Sequence, residues 1–133
     1  MKKKILAIDD EASVCDMYEA SLPSLGYDVV CVSSAKKAKD ALSKALPDLI
    51  LMDIMMPDQD GISLTRDVHS EERTAHIPIL VVSGLSDAAT LNDALLFGAV
   101  DYLVKPFDID ILQNKIERAL AVAEKRKKDG AGS

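Results

Sequence analysis

Five short stretches of the chain are apolar at every position instead of alternating with polar residues. They are ILAI within 4–9, VVCV within 28–32, LILM within 48–53, ILVV within 78–83 and YLV within 100–104. A strand needs such a run only when both of its faces are covered, as in a parallel sheet lying between layers of helices. Between these runs the apolar spacing becomes helical. Segment 12–25 carries Val14, Met17, Tyr18, Leu22 and Leu25 and closes at Gly26, while Pro23 predicts a kinked or frayed last turn. Segment 34–46 places Ala35, Ala38, Leu42, Ala45 and Leu46 on one face, and 61–73 shows a weaker pattern in Ile62, Leu64 and Val68. Segment 87–97 has Ala88, Leu91, Leu95 and Leu96, with Ser86 or Asp87 as its cap and Gly98 as its stop. The final helix, about 108–127, spaces Ile109, Leu112, Ile116, Leu120 and Ala123 along one stripe. Strand and helix thus alternate five times. With right-handed crossovers, that order predicts an α/β fold of one five-stranded parallel sheet with helices on both faces.

Composition narrows the function. At 133 residues, 48% of them apolar and 29% charged, the chain suits a single globular domain, here residues 1–123. Its net charge of −6 disfavours direct contact with nucleic acid or an anionic membrane surface. No apolar run approaches the roughly 20 residues of a membrane helix. The opening MKKKILAIDDE has too short an apolar part to serve as a signal peptide, so a cytoplasmic location is expected. Cys15 and Cys31 fit no metal spacing and are expected to be separate, half-buried, reduced thiols. His69 and His76 are expected at the solvated surface, and 124–133 as a charged helix end leading into a flexible tail or a remnant of cloning.

The apolar runs also end on residues suited to phosphoryl chemistry: Asp9 and Asp10, then Asp53, Ser83 and Lys105. In a parallel sheet all C-terminal strand ends share one edge, so residues far apart in sequence are expected to converge there. Carboxylates brought within about 4–6 Å of each other resist ionising together, and a divalent cation removes that penalty. Ligands that are all oxygen select Mg²⁺ or a similar hard ion, which keeps some of its waters. Asp53, on a rigid strand end before the turn-rich IMMPDQDG (54–61), is placed to accept a phosphoryl group as an acyl phosphate. Ser83 can donate to a phosphoryl oxygen. Lys105 can pair with Asp53 before reaction and with the phosphate after it, and a cis bond to Pro106 would aim it inward. Singly, each residue has an ordinary explanation as a helix-start acid, a turn residue or a surface charge. Jointly, those explanations need five accidents at one edge.

AIDDE (7–11), LMDIMMPDQDG (51–61), VVSG (81–84) and GAVDYLVKPF (98–107) together resemble a bacterial two-component response regulator receiver domain of the CheY-like kind. The likeness covers residues 4 to about 123 in the family's order and spacing. It implies a flavodoxin-like (βα)5 doubly wound three-layer sandwich with strand order 2-1-3-4-5. It implies Asp53 as phosphoacceptor, and Mg²⁺ held by Asp10, Asp53 and the Met55 backbone carbonyl, with Asp9 assisting through water. It further implies Ser83 and Tyr102 as the switch pair, Tyr102 turning inward on activation, Lys105 as the lysine of the family motif, and Gly61 as its tight turn. The implied partners are a histidine kinase or phosphotransfer protein and a downstream protein target or fused output domain. Phosphorylation would alter the 87–127 face, and a phosphorylation-dependent homodimer through that face is compatible with the likeness. Met55 offers no acid or amide to orient a water, so self-dephosphorylation is expected to be slow. Two other readings stand beside this one. A receiver excised from a larger regulator (an ATPase-type transcription activator, a hybrid kinase or a DNA-binding output) would continue from the last helix. A metal-dependent phosphatase using an aspartyl phosphate would want a second acid where this chain has Met55.

Overall fold

The computed structural model describes residues 2–131, with side-chain surroundings given through residue 127. In chain order the elements are β1 (Lys3–Ile8), α1 (Ala12–Ser21), β2 (Tyr27–Val32), α2 (Ala35–Lys44) and β3 (Leu49–Met52). They continue with α3 (Gly61–Ser70), β4 (Ile79–Ser83), α4 (Ala88–Leu96), β5 (Asp101–Val104) and α5 (Ile109–Ala131). The strands form one sheet in the order β2-β1-β3-β4-β5, and every neighbouring pair is parallel.

Uninterrupted apolar strands are what this arrangement requires, because alternate side chains enter different cores. Leu6, Ile8, Ile50, Met52, Ile79 and Val81 pack with Ala38 and Leu42 of α2, Leu64 and Val68 of α3, and Ala94 of α4. Ile5, Ala7, Leu49, Leu51, Leu80 and Val82 face the other way, onto Tyr18 of α1 and Leu112, Ile116 and Ala119 of α5. The result is the three-layer sandwich expected from the pattern.

Helix ends follow local chemistry. Ser34, Asp60 and Asp87 cap α2, α3 and α4 by accepting the backbone N–H of Lys37, Ser63 and Thr90. Helix α1 stops at Ser21, and Pro23 opens a short 3-10 turn closed by Gly26 at φ 95°. That is the breaking action expected of a proline in a last turn. Helix α3 stops at Ser70, short of the expected 73. Helix α5 runs beyond the expected 127 to Ala131, continuing through Lys128, Asp129 and Gly130 even though a glycine commonly ends a helix. Gly132 and Ser133, the end of the expected tail, lie outside the described residues.

One expectation is overturned. Cys15 and Cys31 are not separate thiols, because a disulfide joins them. Helix α1 packs beside β2, bringing their Cα atoms to 5.6 Å, within the range a disulfide spans. The separation of 16 residues hides this pairing, which depends on how the helix docks.

Candidate functional site

Parallel registration delivers the expected convergence. Ile8 pairs with Met52, Met52 with Val81, and Ser83 with Val104, so β1, β3, β4 and β5 end at the same edge of the sheet. The ladder continues one residue past two of those ends. The Asp53 N–H donates to the Ile8 carbonyl (2.9 Å), and the Lys105 N–H donates to the Ser83 carbonyl (2.8 Å). Asp9 is fixed on the other side, its N–H donating to the Val32 carbonyl (3.0 Å). These backbone bonds leave the side chains no choice of edge.

Asp9, Asp10 and Asp53 each bring a carboxylate oxygen within 4.8 Å of the others, Asp9 and Asp53 buried and Asp10 exposed. Lys105 Nζ reaches Asp9 Oδ2 at 2.6 Å, Glu11 Oε1 at 3.3 Å and Asp53 Oδ1 at 3.8 Å. The lysine expected to pair with Asp53 therefore sits closer to Asp9. Burial pulls its ammonium toward deprotonation, but the Asp9 hydrogen bond and the surrounding carboxylates outweigh that and hold its pKa above the ordinary lysine value. Asp53 moves up to about 6, first through burial and then through the Asp9 charge, with Lys105 and the Ile54 N–H only partly countering both. A buried cluster short of positive charge is what a hard divalent cation relieves, so the residues present fit Mg²⁺. Both Asp9 oxygens are engaged, Oδ1 by the Glu11 N–H (3.0 Å) and Oδ2 by Lys105. Asp10 and Asp53 are the freer ligands.

An open cleft of about 640 Å³ lies above this cluster, lined among others by Asp10, Asp53, Met55, Ser83, Lys105 and Phe107. Ser83 is buried, and its Oγ accepts the Leu85 N–H at 3.3 Å. Tyr102 is already buried in this structure, and its hydroxyl donates to the Leu85 carbonyl at 2.5 Å. The inward ring position expected to follow activation is thus occupied here. The Lys105–Pro106 peptide bond is cis. His69 and His76 are exposed, as expected, although the His69 ring lies over Gly98, where any Cβ would collide with it.

The loop after Asp53 is pinned along its length. The Gly61 N–H donates to the Ile54 carbonyl (2.7 Å), and a Cβ at Gly61 would overlap the carbonyl oxygen of Asp53. Asp58 accepts the Ala35 and Lys36 N–H groups of α2, both at 3.0 Å. Sequence reasoning missed this second anchor, as it missed the reach of Glu11 to Lys105. Asp58 does carry a recognisable signal, since acids suit helix N-termini, but nothing local says which helix it serves.

Residues 5–117 match the family model described as "Response regulator receiver domain". The transcriptional regulatory protein ZraR of Escherichia coli K12 is 37% identical over 117 residues, which is 88% of this chain and 26% of that relative. The regulatory protein AtoC of the same organism is 33% identical over 93% of this chain and 26% of its own length. Among solved structures, a receiver domain protein (CheY-like) from Methanospirillum hungatei JF-1 superposes with a TM-score of 0.88 at 27% identity, covering 95% of this chain and 99% of that one. The chain spans about a quarter to a half of the length of the curated relatives it matches. Among the described residues, no helix is long and apolar enough to cross a membrane.

Proposed function

Because the chain belongs to the response regulator receiver domain family, we propose that it is a phosphorylation-dependent switch whose acceptor is Asp53. The observation that carries this reading is the buried Asp53 carboxylate beside Asp10 and Lys105 at the mouth of an open cleft. Asp10, Asp53 and the Met55 carbonyl would hold Mg²⁺, and Asp9, with both oxygens engaged, would act through water. Bound there, the ion supplies positive charge against the cluster and the incoming phosphoryl oxygens.

An Asp53 oxygen attacks the phosphorus of a phosphohistidine on a histidine kinase or phosphotransfer protein. The P–N bond breaks, and its electron pair stays with the donor imidazole. Lys105 and the Ser83 hydroxyl would meet the phosphoryl oxygens in that acceptor position. The new group brings roughly 1.5–2 negative charges, enough to draw Ser83 and the Leu85 backbone toward it. Leu85 holds the Tyr102 hydroxyl, so that movement would reach β5 and the 87–127 face through one hydrogen bond. This face would then address a downstream target or an output domain, in a cytoplasmic two-component pathway. The Met55 side chain, 64% exposed and without an acid or amide, supports slow self-dephosphorylation.

The direct test is intact-mass measurement after incubation with acetyl phosphate and Mg²⁺. Wild type should gain one phosphoryl group and stop, Asp53→Asn should gain none, and neither should turn over a phosphate monoester. Addition that survives Asp53→Asn, or continuing monoester hydrolysis, would refute the reading.

A further inference from the structure

We propose that the Cys15–Cys31 disulfide is a thiol–disulfide exchange site, and that its redox state sets how firmly the acidic loop 9–11 is held for a divalent cation. The inference rests on the metal-site reading above and adds a control to it.

The covalent link joins the two segments that hold this loop, one on each side. On the β2 side, Cys31 precedes Val32, whose carbonyl receives the Asp9 N–H. On the α1 side, the Cys15 and Val14 N–H groups donate to the Glu11 carbonyl (3.2 and 3.1 Å). Cys15 Sγ itself lies 3.4 Å from the Asp9 carbonyl oxygen. Strand β2 is at the sheet edge and pairs only with β1, so its C-terminal end has a single strand neighbour. Beyond the chain itself, the disulfide is therefore the covalent cross-link between that end and the helix that follows the acidic loop. Once it opens, only non-covalent contacts hold the carboxylates in register. Ligands held less rigidly bind metal less tightly.

Access is present. Both cysteines are half-buried and, with Asp9, Asp10, Asp16 and Lys37, line a solvent-open cavity of about 300 Å³. Three acids against one lysine disfavour an anionic monothiol, so the fitting reductant is an uncharged dithiol. One thiolate of that reductant attacks a protein sulfur, and the S–S electron pair leaves on the other cysteine, which takes a proton. The reductant's second thiol then displaces the mixed disulfide, freeing the second protein thiol. The balance is two protein thiols gained and one reductant disulfide formed, with two electrons and two protons transferred. In a cytoplasmic protein, disulfides are mostly transient or redox-sensing, which is the behaviour assigned here.

The test compares the full chain in two states, oxidised with no free thiol and reduced by dithiothreitol, each titrated with Mg²⁺ by calorimetry at one pH. Reduction should weaken Mg²⁺ binding roughly tenfold, the scale on which metal sites respond to lost outer support. Re-oxidation should restore it, and the Cys15→Ser/Cys31→Ser double variant should bind at the reduced strength with or without reductant. In the metal-free protein, amide exchange at Glu11 should quicken on reduction. Equal affinity in the two states, unchanged Glu11 exchange, or a bond that dithiothreitol cannot open in the folded protein would overturn the proposal. Absence of Mg²⁺ binding in both states would instead overturn the metal-site reading, a separate and distinguishable failure.

Discussion

Asp53 is held where its charge costs stability until a cation or proton arrives. Burial first, and the Asp9 charge second, lift its pKa to about 6 in the folded chain, whereas an unfolded aspartate titrates at 3.8. The folded state therefore binds this proton more tightly than the unfolded state does. Stability falls as pH rises between the two values and stays lower above them. In the metal-free protein, Asp53→Asn should raise stability by on the order of 2 kcal/mol near pH 7.5 and give no such gain near pH 3.5. Denaturant titrations at the two pH values check this. Protons compete with the ion for the same carboxylate, so Mg²⁺ affinity should also decline as pH falls through about 6. Gly61 tests the backbone beneath that carboxylate. Gly61→Ala forces a methyl group onto the Asp53 carbonyl, so it should cost about 2–3 kcal/mol and slow phosphorylation together. A melt near wild type with an unchanged rate would show that the close approach is not required. Each residue of the proposed acceptor site was legible because it ends an apolar run. The contacts of Lys105 were not, because strand ends fix the edge a side chain occupies but not the partner its flexible stem selects.

At the scale of elements, one helix start is shared between segments. Helix α2 has its Lys37 N–H capped by its own Ser34, but its Ala35 and Lys36 N–H groups depend on Asp58, 23 and 22 residues away in the loop after Asp53. Those bonds also hold the Asp58 carboxylate below the usual aspartate range. Asp58→Ala should accelerate amide exchange at Ala35 and Lys36 while sparing Lys37, which hydrogen-exchange spectroscopy reads directly. Equal exchange at all three would remove Asp58 as an anchor. Strand positions, the cap of α4 at Asp87 and the break at Pro23 could be read locally, since each depends on a few adjacent residues. The disulfide, the Asp58 anchor and the true end of α5 could not. The first two arise from how elements dock, and α5 continues through Gly130, a residue that read locally marks a helix end.

For the molecule as a whole, the proposed function rests on registration. Parallel strands that end together bring the acids, hydroxyl and ammonium to one edge from positions 9 to 105, and two independent cores lock that alignment. The layers and strand order followed from the alternation of elements and from the likeness to receiver domains. The inward placement of Tyr102 did not, because a rotamer beneath a loop depends on whether the Leu85 carbonyl is there to receive the hydroxyl. Convergence is tested most directly by recording backbone amide spectra while beryllofluoride is added with Mg²⁺. Saturable shifts should appear at Asp9–Glu11, Asp53–Met55, Ser83–Leu85 and Lys105, spread into Tyr102 and α4, and vanish in Asp53→Ala. Shifts confined to one of these segments, or persisting without the Asp53 carboxylate, would contradict a single phosphoryl-accepting pocket.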